Sequence, residues 1–294
     1  MARNLILIAG YPKSGSTWVR VVLETLRRGP GWRVSINDMA HAWYGAPKRQ
    51  LFDELAPVNS AELLPDEIDD VLPQVFRALS ERAGAPHIVK SHDGAVRTRS
   101  GEWLYPQDCV RAVIYLTRHP FDVAVSYAHH MGLSTREAVQ HMGDDETVAL
   151  STDRLRRQLH ERLGSWSGNV SSWLDATGYD VIAARYEDMF ASPADGFARL
   201  VQRAGFAASD ADIARACEAA SFDRLRSEEQ RAGFVERPRM SPQFYRAGKP
   251  LSWVGALDDE TRAKLVDDHG AVMTRLGYDT EGRASAAPDW RAFA

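Results

Sequence analysis

Cysteine is scarce in this chain: Cys109 and Cys217 are its only two in 294 residues. They lie far apart and fit no metal or C-x-x-C spacing, which excludes a disulfide framework and reads as two reduced structural thiols. Long apolar runs are missing as well. The stretch Leu5 to Ala9 is too short for a signal segment, and nowhere do about 18 to 20 uninterrupted apolar residues occur. A soluble, cytoplasmic protein without a membrane span is the expectation. There is no basic excess either. A net charge of −4 argues against a dedicated nucleic-acid binder or a basic membrane-surface protein, so any anion site must be built locally. Internal repeats, low-complexity linkers and metal-ligand spacings such as H-E-x-x-H are absent, and no metal is expected.

What remains is a chain that is 44% hydrophobic and long enough to bury a large core. "LILIA" (5 to 9) is continuously apolar and predicts a fully buried strand. The loop "GYPKSG" follows, and then a helix in which Val19, Val22, Leu23 and Leu26 recur at helical spacing until "RRGPG" stops it. Gly10 and Gly15 keep the glycine spacing of a phosphate-binding loop. The lysine that should follow the second glycine sits inside the loop at Lys13, and Ser16 takes its place. A turn of this kind aims amides and the positive end of a helix at one spot, which suits an anion. In isolation it is as readily an ordinary tight connection.

Two more strands end in polar loops: "HIVKSH" (87 to 92), and "VRAVIYLTRHP" (110 to 120) leading into a helix to Gly132. In open α/β sheets ligands gather at the carboxyl ends of the strands, so Lys13, His92 and Arg118 are expected to converge. Residues 66 to 84 predict a helix that Pro73 interrupts or delays, and 31 to 65 predict irregular structure with short helices, able to line a pocket. Helices are also expected within 164 to 178, from Pro193 with Ser192 as cap, and near the end of the chain. "DVIAARYEDM" (180 to 189) predicts a strand leading to a loop. The stretch 231 to 250 carries Arg231, Arg237, Arg239, Arg246 and Lys249 against Glu236 and predicts a mobile basic loop. The whole chain, 1 to 294, reads as one α/β domain: a central parallel sheet flanked by helices, P-loop-like.

"YPKSGSTW", "KSH" and "RHPFDVAVSY" occur in that order, each after a predicted strand, and together they resemble the cytosolic-type sulfotransferases that use 3′-phosphoadenosine 5′-phosphosulfate (PAPS). The resemblance covers residues 5 to about 255, except 31 to 65 and 133 to 163. It implies that Tyr11, Pro12, Lys13, Ser14, Gly15, Ser16, Thr17 and Trp18 hold the 5′-phosphosulfate, with Ser16 where threonine is more usual. Arg118 and Ser126 would hold the 3′-phosphate, and Ser126 would also restrain Lys13. His92 would be the catalytic base, with Lys90 assisting at the sulfonate and Ser91 in place of threonine. Tyr186 would touch the adenine, which Phe222 and Trp18 would sandwich. "FYRAGKPLSW" resembles the family's late F-x-R-K-G segment, so Arg246 and Gly248 would hold the 3′-phosphate, while Ala247 replaces the usual lysine and Lys249 is the candidate to supply it.

The implied reaction is in-line sulfuryl transfer from PAPS to a hydroxyl or amine of a small molecule or glycoconjugate, leaving 3′-phosphoadenosine 5′-phosphate (PAP). "GSWSGNVSSWL" with "RYEDM" resembles the bacterial branch more than the enzymes for phenols and steroids. A homodimer stays open, though not through the K-x-x-x-T-V-x-x-x-E motif of the animal enzymes, which "KLVDDHGAVMTRLGY" lacks. Two competing readings are a P-loop small-molecule kinase and a non-catalytic nucleotide-binding module. A kinase needs a lysine where Ser16 stands and an acid at a strand end, where Ser-His and Arg-His occur. A binding module predicts loss of His92 or Lys13, and both are present.

Overall fold

In the computed structural model, which describes residues 3–32, 34–38, 44–45, 48–84, 86–149 and 158–285, Leu5–Ala9 forms strand β1, buried along its whole length. Leu5, Leu7 and Ala9 pack into one core, and Ile6 and Ile8 into a second on the opposite face. Successive strand side chains point to opposite faces, so a strand covered on both sides is apolar throughout rather than alternating. The same division runs along β4 (Val110–Thr117), where Val113 and Tyr115 face the first core and Ala112, Ile114 and Leu116 the second.

β2 (Tyr44–Gly45), β3 (His87–Lys90) and β7 (Val181–Arg185) complete an all-parallel sheet in the order β2-β3-β1-β4-β7. A separate antiparallel pair joins β5 (Val148–Ala149) to β6 (Glu161–Arg162). Helices Pro65–Glu81, Trp166–Leu174 and Asp259–Arg275 contribute to the first core. Helices Ser16–Arg28, Pro193–Arg203 and Asp210–Ala219 contribute to the second. This is the expected α/β arrangement. β1 lies between β3 and β4, so the loops leaving all three strands open on one crevice.

Three local expectations are corrected. The helix Pro65–Glu81 runs through Pro73 without a break. Its start is fixed by Pro65 and by the Glu67 carboxylate accepting from the Leu64 N–H (2.8 Å), and Ile68, Leu72, Val75, Phe76 and Leu79 on either side of the proline are all buried in one core. Burial of that face outweighs the missing backbone hydrogen bond. After β7 the chain forms a helix, Tyr186–Ala191, rather than a loop. Ser192 therefore ends one helix as it precedes the next at Pro193, and its side chain makes no cap hydrogen bond. In the 31 to 65 region, Arg49–Leu55 is helical and Ser60–Glu62 is a 3₁₀ turn; residues 33, 39 to 43 and 46 to 47 lie outside the described residues. No helix among the described residues is long and apolar enough to cross a membrane.

Candidate active site

The loop after β1 is shaped by three residues with positive φ: Gly10, Lys13 and Gly15. A side chain at Gly10 would place its Cβ 2.4 Å from the Leu116 carbonyl oxygen, and one at Gly15 would meet the Tyr186 ring at 2.9 Å. Only glycine fits there. Lys13, at φ 73°, takes the left-handed conformation at a cost of about 1–3 kcal/mol. Gly15 ends the loop as the cap residue of the helix Ser16–Arg28 and has no side chain to satisfy it. The first-turn amides of Ser16, Thr17 and Trp18 have no acceptor within the helix and face the loop's concavity.

Lys13 lies buried among cations. Burial first, then Arg118, Lys90 and Arg246, push its ammonium down to about 7, against the weaker opposing pull of Glu229. Its Nζ lies 3.3 Å from His130 Nδ1 and 4.1 Å from the centre of the Phe244 ring. His130 is held down to about 3 by burial and by Lys13, so it is neutral and able to accept. The hydrogen-bond partner of Lys13 is thus His130 and not Ser126, which lines the same cavity one helical turn earlier.

His92 follows β3. Its Nδ1 is 2.7 Å from the Gly10 carbonyl, which can only accept, so that nitrogen carries the proton and Nε2 is left with a lone pair. Burial, then the Lys90 charge, hold the imidazole well below its usual value, so it is neutral. Its backbone is fixed on both sides. The His92 N–H donates to Glu161 Oε1 (2.8 Å), and its carbonyl accepts from Asn169 Nδ2 (3.0 Å), whose Oδ1 in turn accepts from Tyr115 (2.9 Å). Asp93, next in sequence, is buried and accepts from Ser91, Tyr105 and the Arg162 N–H. Ser91 is therefore a structural residue: its N–H donates to Ile8 and its hydroxyl to Asp93.

Arg118 leaves β4 and is 6% exposed. Its guanidinium stacks over the Tyr186 ring at 4.4 Å and donates to the Lys249 carbonyl (3.1 Å), while its Nε has no partner. Tyr186 donates to the Gly248 carbonyl (2.8 Å) and meets Trp18 edge-on at 5.6 Å. Gly248, at φ 63°, lies so close to the Phe222 ring that a Cβ would come within 2.0 Å of it. The segment from 234 to 250 is irregular, as expected, and it is tied down: Glu229 accepts from the Phe244 and Tyr245 amides, His129 lies 2.8 Å from the Gln243 carbonyl, and Glu236 forms a two-bond ion pair with Arg20.

These elements enclose a cavity of about 2050 Å³. Among the residues expected at a site, Pro12, Lys13, Gly15, Ser16, Thr17, Trp18, Lys90, His92, Arg118, Ser126, Tyr186, Phe222, Arg246, Ala247 and Gly248 line it. Tyr11 and Ser14 do not. Both are buried behind the loop, and neither hydroxyl has a partner. The Lys249 side chain is exposed and lies outside the lining. His130 belongs to no motif, but its spacing four residues after Ser126 puts it on the same inward face. Arg20, Lys48, Glu161 and Glu236 also line the cavity and carried no motif. Both cysteines are free, and Cys217 borders the cavity, its thiol pushed up to about 11 by burial. No group of three His, Cys, Asp or Glu side chains among the described residues is arranged to hold a metal.

Comparison with known proteins bears on the fold and the family. The sulfotransferase domain family matches residues 3–277. Sulfotransferase 1 family member D1 of Mus musculus is 26% identical over 192 residues, 64% of this chain and 54% of that protein. Sulfotransferase 1B1 of Canis lupus familiaris is 25% identical over 189 residues, with the same shares. The chain matches about half the length of these curated relatives. Among solved structures, retinol dehydratase in a complex with retinol and PAP superposes with a TM-score of 0.60 at 18% identity, over 92% of this chain and 82% of that one. Mouse sulfotransferase SULT7A1 complexed with PAP gives 0.58 at 15% identity, over 93% and 84%. The fold is shared, and with the family match extending over nearly its whole length, the chain belongs to the sulfotransferase domain family.

Proposed function

We propose that this chain moves a sulfuryl group from PAPS to an acceptor hydroxyl or amine of a small molecule, glycan or natural product by in-line displacement, with His92 as general base. The observation that carries the reading is the tautomer of His92: with its Nδ1 proton committed to the Gly10 carbonyl, a neutral Nε2 remains in the cavity that Lys13 and Arg118 also line.

The residues fit a doubly phosphorylated nucleotide. Burial first, and then the neighbouring charges of Arg118, Lys90 and Arg246, depress Lys13 to about 7, and a bound anion offsets both. The unpartnered Arg118 Nε and the open first turn of the helix supply donors. Trp18, Tyr186 and Phe222 offer ring surfaces for an adenine. When bound, PAPS supplies the activated sulfonate and a phosphate leaving group. Nε2 of His92 takes the acceptor proton as the acceptor oxygen attacks sulfur. Lys13 and the loop amides meet the charge that develops on the departing phosphate, and Lys90 assists at the sulfonate. The cavity is about twice the upper size of an ordinary small-molecule pocket, which leaves room for an acceptor beside the nucleotide. We read residues 1 to 294 as one domain, which the family match over 3–277 supports; of the basic loop expected at about 231 to 250, Arg231 and Ala232 end the helix Phe222–Ala232, and the irregular segment from 234 to 250 borders the cavity.

The reading is tested by calorimetric titration with PAP and with ATP in the presence of Mg²⁺. PAP is expected to bind at micromolar affinity or tighter and ATP at least about tenfold more weakly. ATP binding as tightly as PAP would transfer the chain to the kinase class.

A further inference from the structure

Three carboxyl groups line the cavity among the described residues, and they differ in what each has left for a ligand. Glu236 spends both oxygens on Arg20, at 2.6 and 3.1 Å. Asp53 is exposed and accepts from the Ser60 N–H (2.7 Å). Glu161 is only 4% exposed, and a single one of its oxygens is used: Oε1 accepts from the His92 N–H at 2.8 Å. Its Oε2 accepts from no described residue and is open to the cavity that the side chain lines.

This carboxyl stands in a frame that fixes it against His92. Glu161 opens strand β6, where Ala149 of β5 is its partner. From there the chain is laced to the segment that follows β3. The Arg162 N–H donates to Asp93 Oδ1 (2.6 Å), and the Gly94 N–H donates to the Arg162 carbonyl (2.9 Å). Asn169 Nδ2 donates to the carbonyls of both His92 (3.0 Å) and Leu163 (2.9 Å). A carboxyl held in this way cannot drift relative to the base, which is what a specificity contact requires. Ala149 and Leu163 line the cavity beside it and offer only carbon to a ligand. Holding the His92 backbone accounts for one oxygen and needs no charge, since an amide oxygen would serve as well. Burial holds the carboxyl up to about 7 against the opposing pull of Lys90, so the ionised form gains from any donor that a ligand brings.

We propose that Glu161 selects the acceptor: its free Oε2 receives a second hydrogen-bond donor of the acceptor, a hydroxyl or an ammonium, while the reacting hydroxyl meets His92. This rests on the sulfotransfer reading and narrows it, because the preferred acceptor is then a diol or an amino alcohol rather than a molecule with one isolated hydroxyl. A site built to receive a donor rejects the analogue that lacks it, since the buried oxygen is left unpaired.

The test uses the full chain, ³⁵S-labelled PAPS and two matched sets of alcohols. Cyclohexanol, trans-1,2-cyclohexanediol and trans-2-aminocyclohexanol place the second donor beside the reacting hydroxyl; trans-4-methylcyclohexanol, trans-1,4-cyclohexanediol and trans-4-aminocyclohexanol place it across the ring. In at least one set the donor-bearing members are expected to exceed the plain member in kcat/KM by about tenfold or more. The diol and the amino alcohol separate a neutral donor from a cation. Glu161→Gln keeps an oxygen for the His92 N–H and turns an NH₂ group, itself a donor, to the cavity, so the ratio should fall to within about twofold of unity. A residue that only held His92 in place would slow every alcohol alike and leave the ratio where it was. Equal use of all members in both sets, a ratio that Glu161→Gln does not change, or no transfer to any donor-bearing alcohol at millimolar concentration overturns the inference. PAP affinity, measured first on both chains by calorimetry, keeps the two levels apart: if PAP binds and the second donor makes no difference, only the role of Glu161 is wrong; if PAP does not bind the parent chain, the sulfotransfer reading falls, and this inference with it.

Discussion

The two ends of the cavity are built in opposite ways. At one end a strand, a loop and a helix that are contiguous in sequence present backbone amides, Lys13 and two indispensable glycines, with Arg118 entering from the neighbouring strand. At the other end Arg20, Lys48, Glu161 and Glu236 come from four distant segments and meet only through the fold. In the proposed function the first end holds an anion through geometry fixed by the backbone. The second presents side chains of both charges, which single substitutions can retune. A donor common to a family and an acceptor particular to each member would call for this division.

The contrast sets the size of the expected effects. Lys13→Ala strikes the backbone-built end and should lower transfer by about 10²- to 10³-fold, as losing a donor to developing charge does. The same residue makes PAP binding depend on pH. With Lys13 near 7 in the free protein and held protonated by a bound phosphate, affinity should fall by up to about tenfold per pH unit above pH 7 and should be insensitive to this group below pH 6. Calorimetry in buffers of different ionisation enthalpy should show proton uptake on binding at pH 8, absent in Lys13→Ala. A flat affinity across pH 7 to 9 in the parent chain would contradict the lowering of Lys13 by burial and its cationic neighbours. A smaller effect is expected from Ala247→Lys, which adds a cation to the cavity wall next to Arg246 and should tighten PAP binding about threefold. Weaker binding would mean that Arg118 and Arg246 already saturate the 3′-phosphate.

The same division decides what the sequence discloses. Leu5–Ala9, Val110–Thr117 and the helix after Gly15 follow from apolar runs and helical spacing, because strands buried on both faces and one-sided helices leave those patterns. The residues of the donor end are legible because the loop's geometry forces glycine at 10 and 15 and places Lys13 between them. The role of His130 is hard to read because its pairing with Lys13 spans 117 residues; its spacing from Ser126 marks the face it presents but not the partner it meets there. The Arg20 to Glu236 ion pair spans 216 residues and leaves no local pattern. The helix through Pro73 escaped for a different reason: a local penalty of backbone chemistry was outweighed by apolar burial that only the folded chain displays.

The central claim is that His92 acts on the acceptor proton and not on the nucleotide. It is tested most directly by His92→Ala, assayed side by side for PAP binding by calorimetry and for transfer from ³⁵S-labelled PAPS to an acceptor identified with the parent chain. Transfer should fall by about 10²- to 10⁴-fold while PAP affinity stays within about threefold of the parent. Loss of PAP binding in a variant that unfolds at the parent's temperature, or transfer that continues near the parent's rate, would contradict the account.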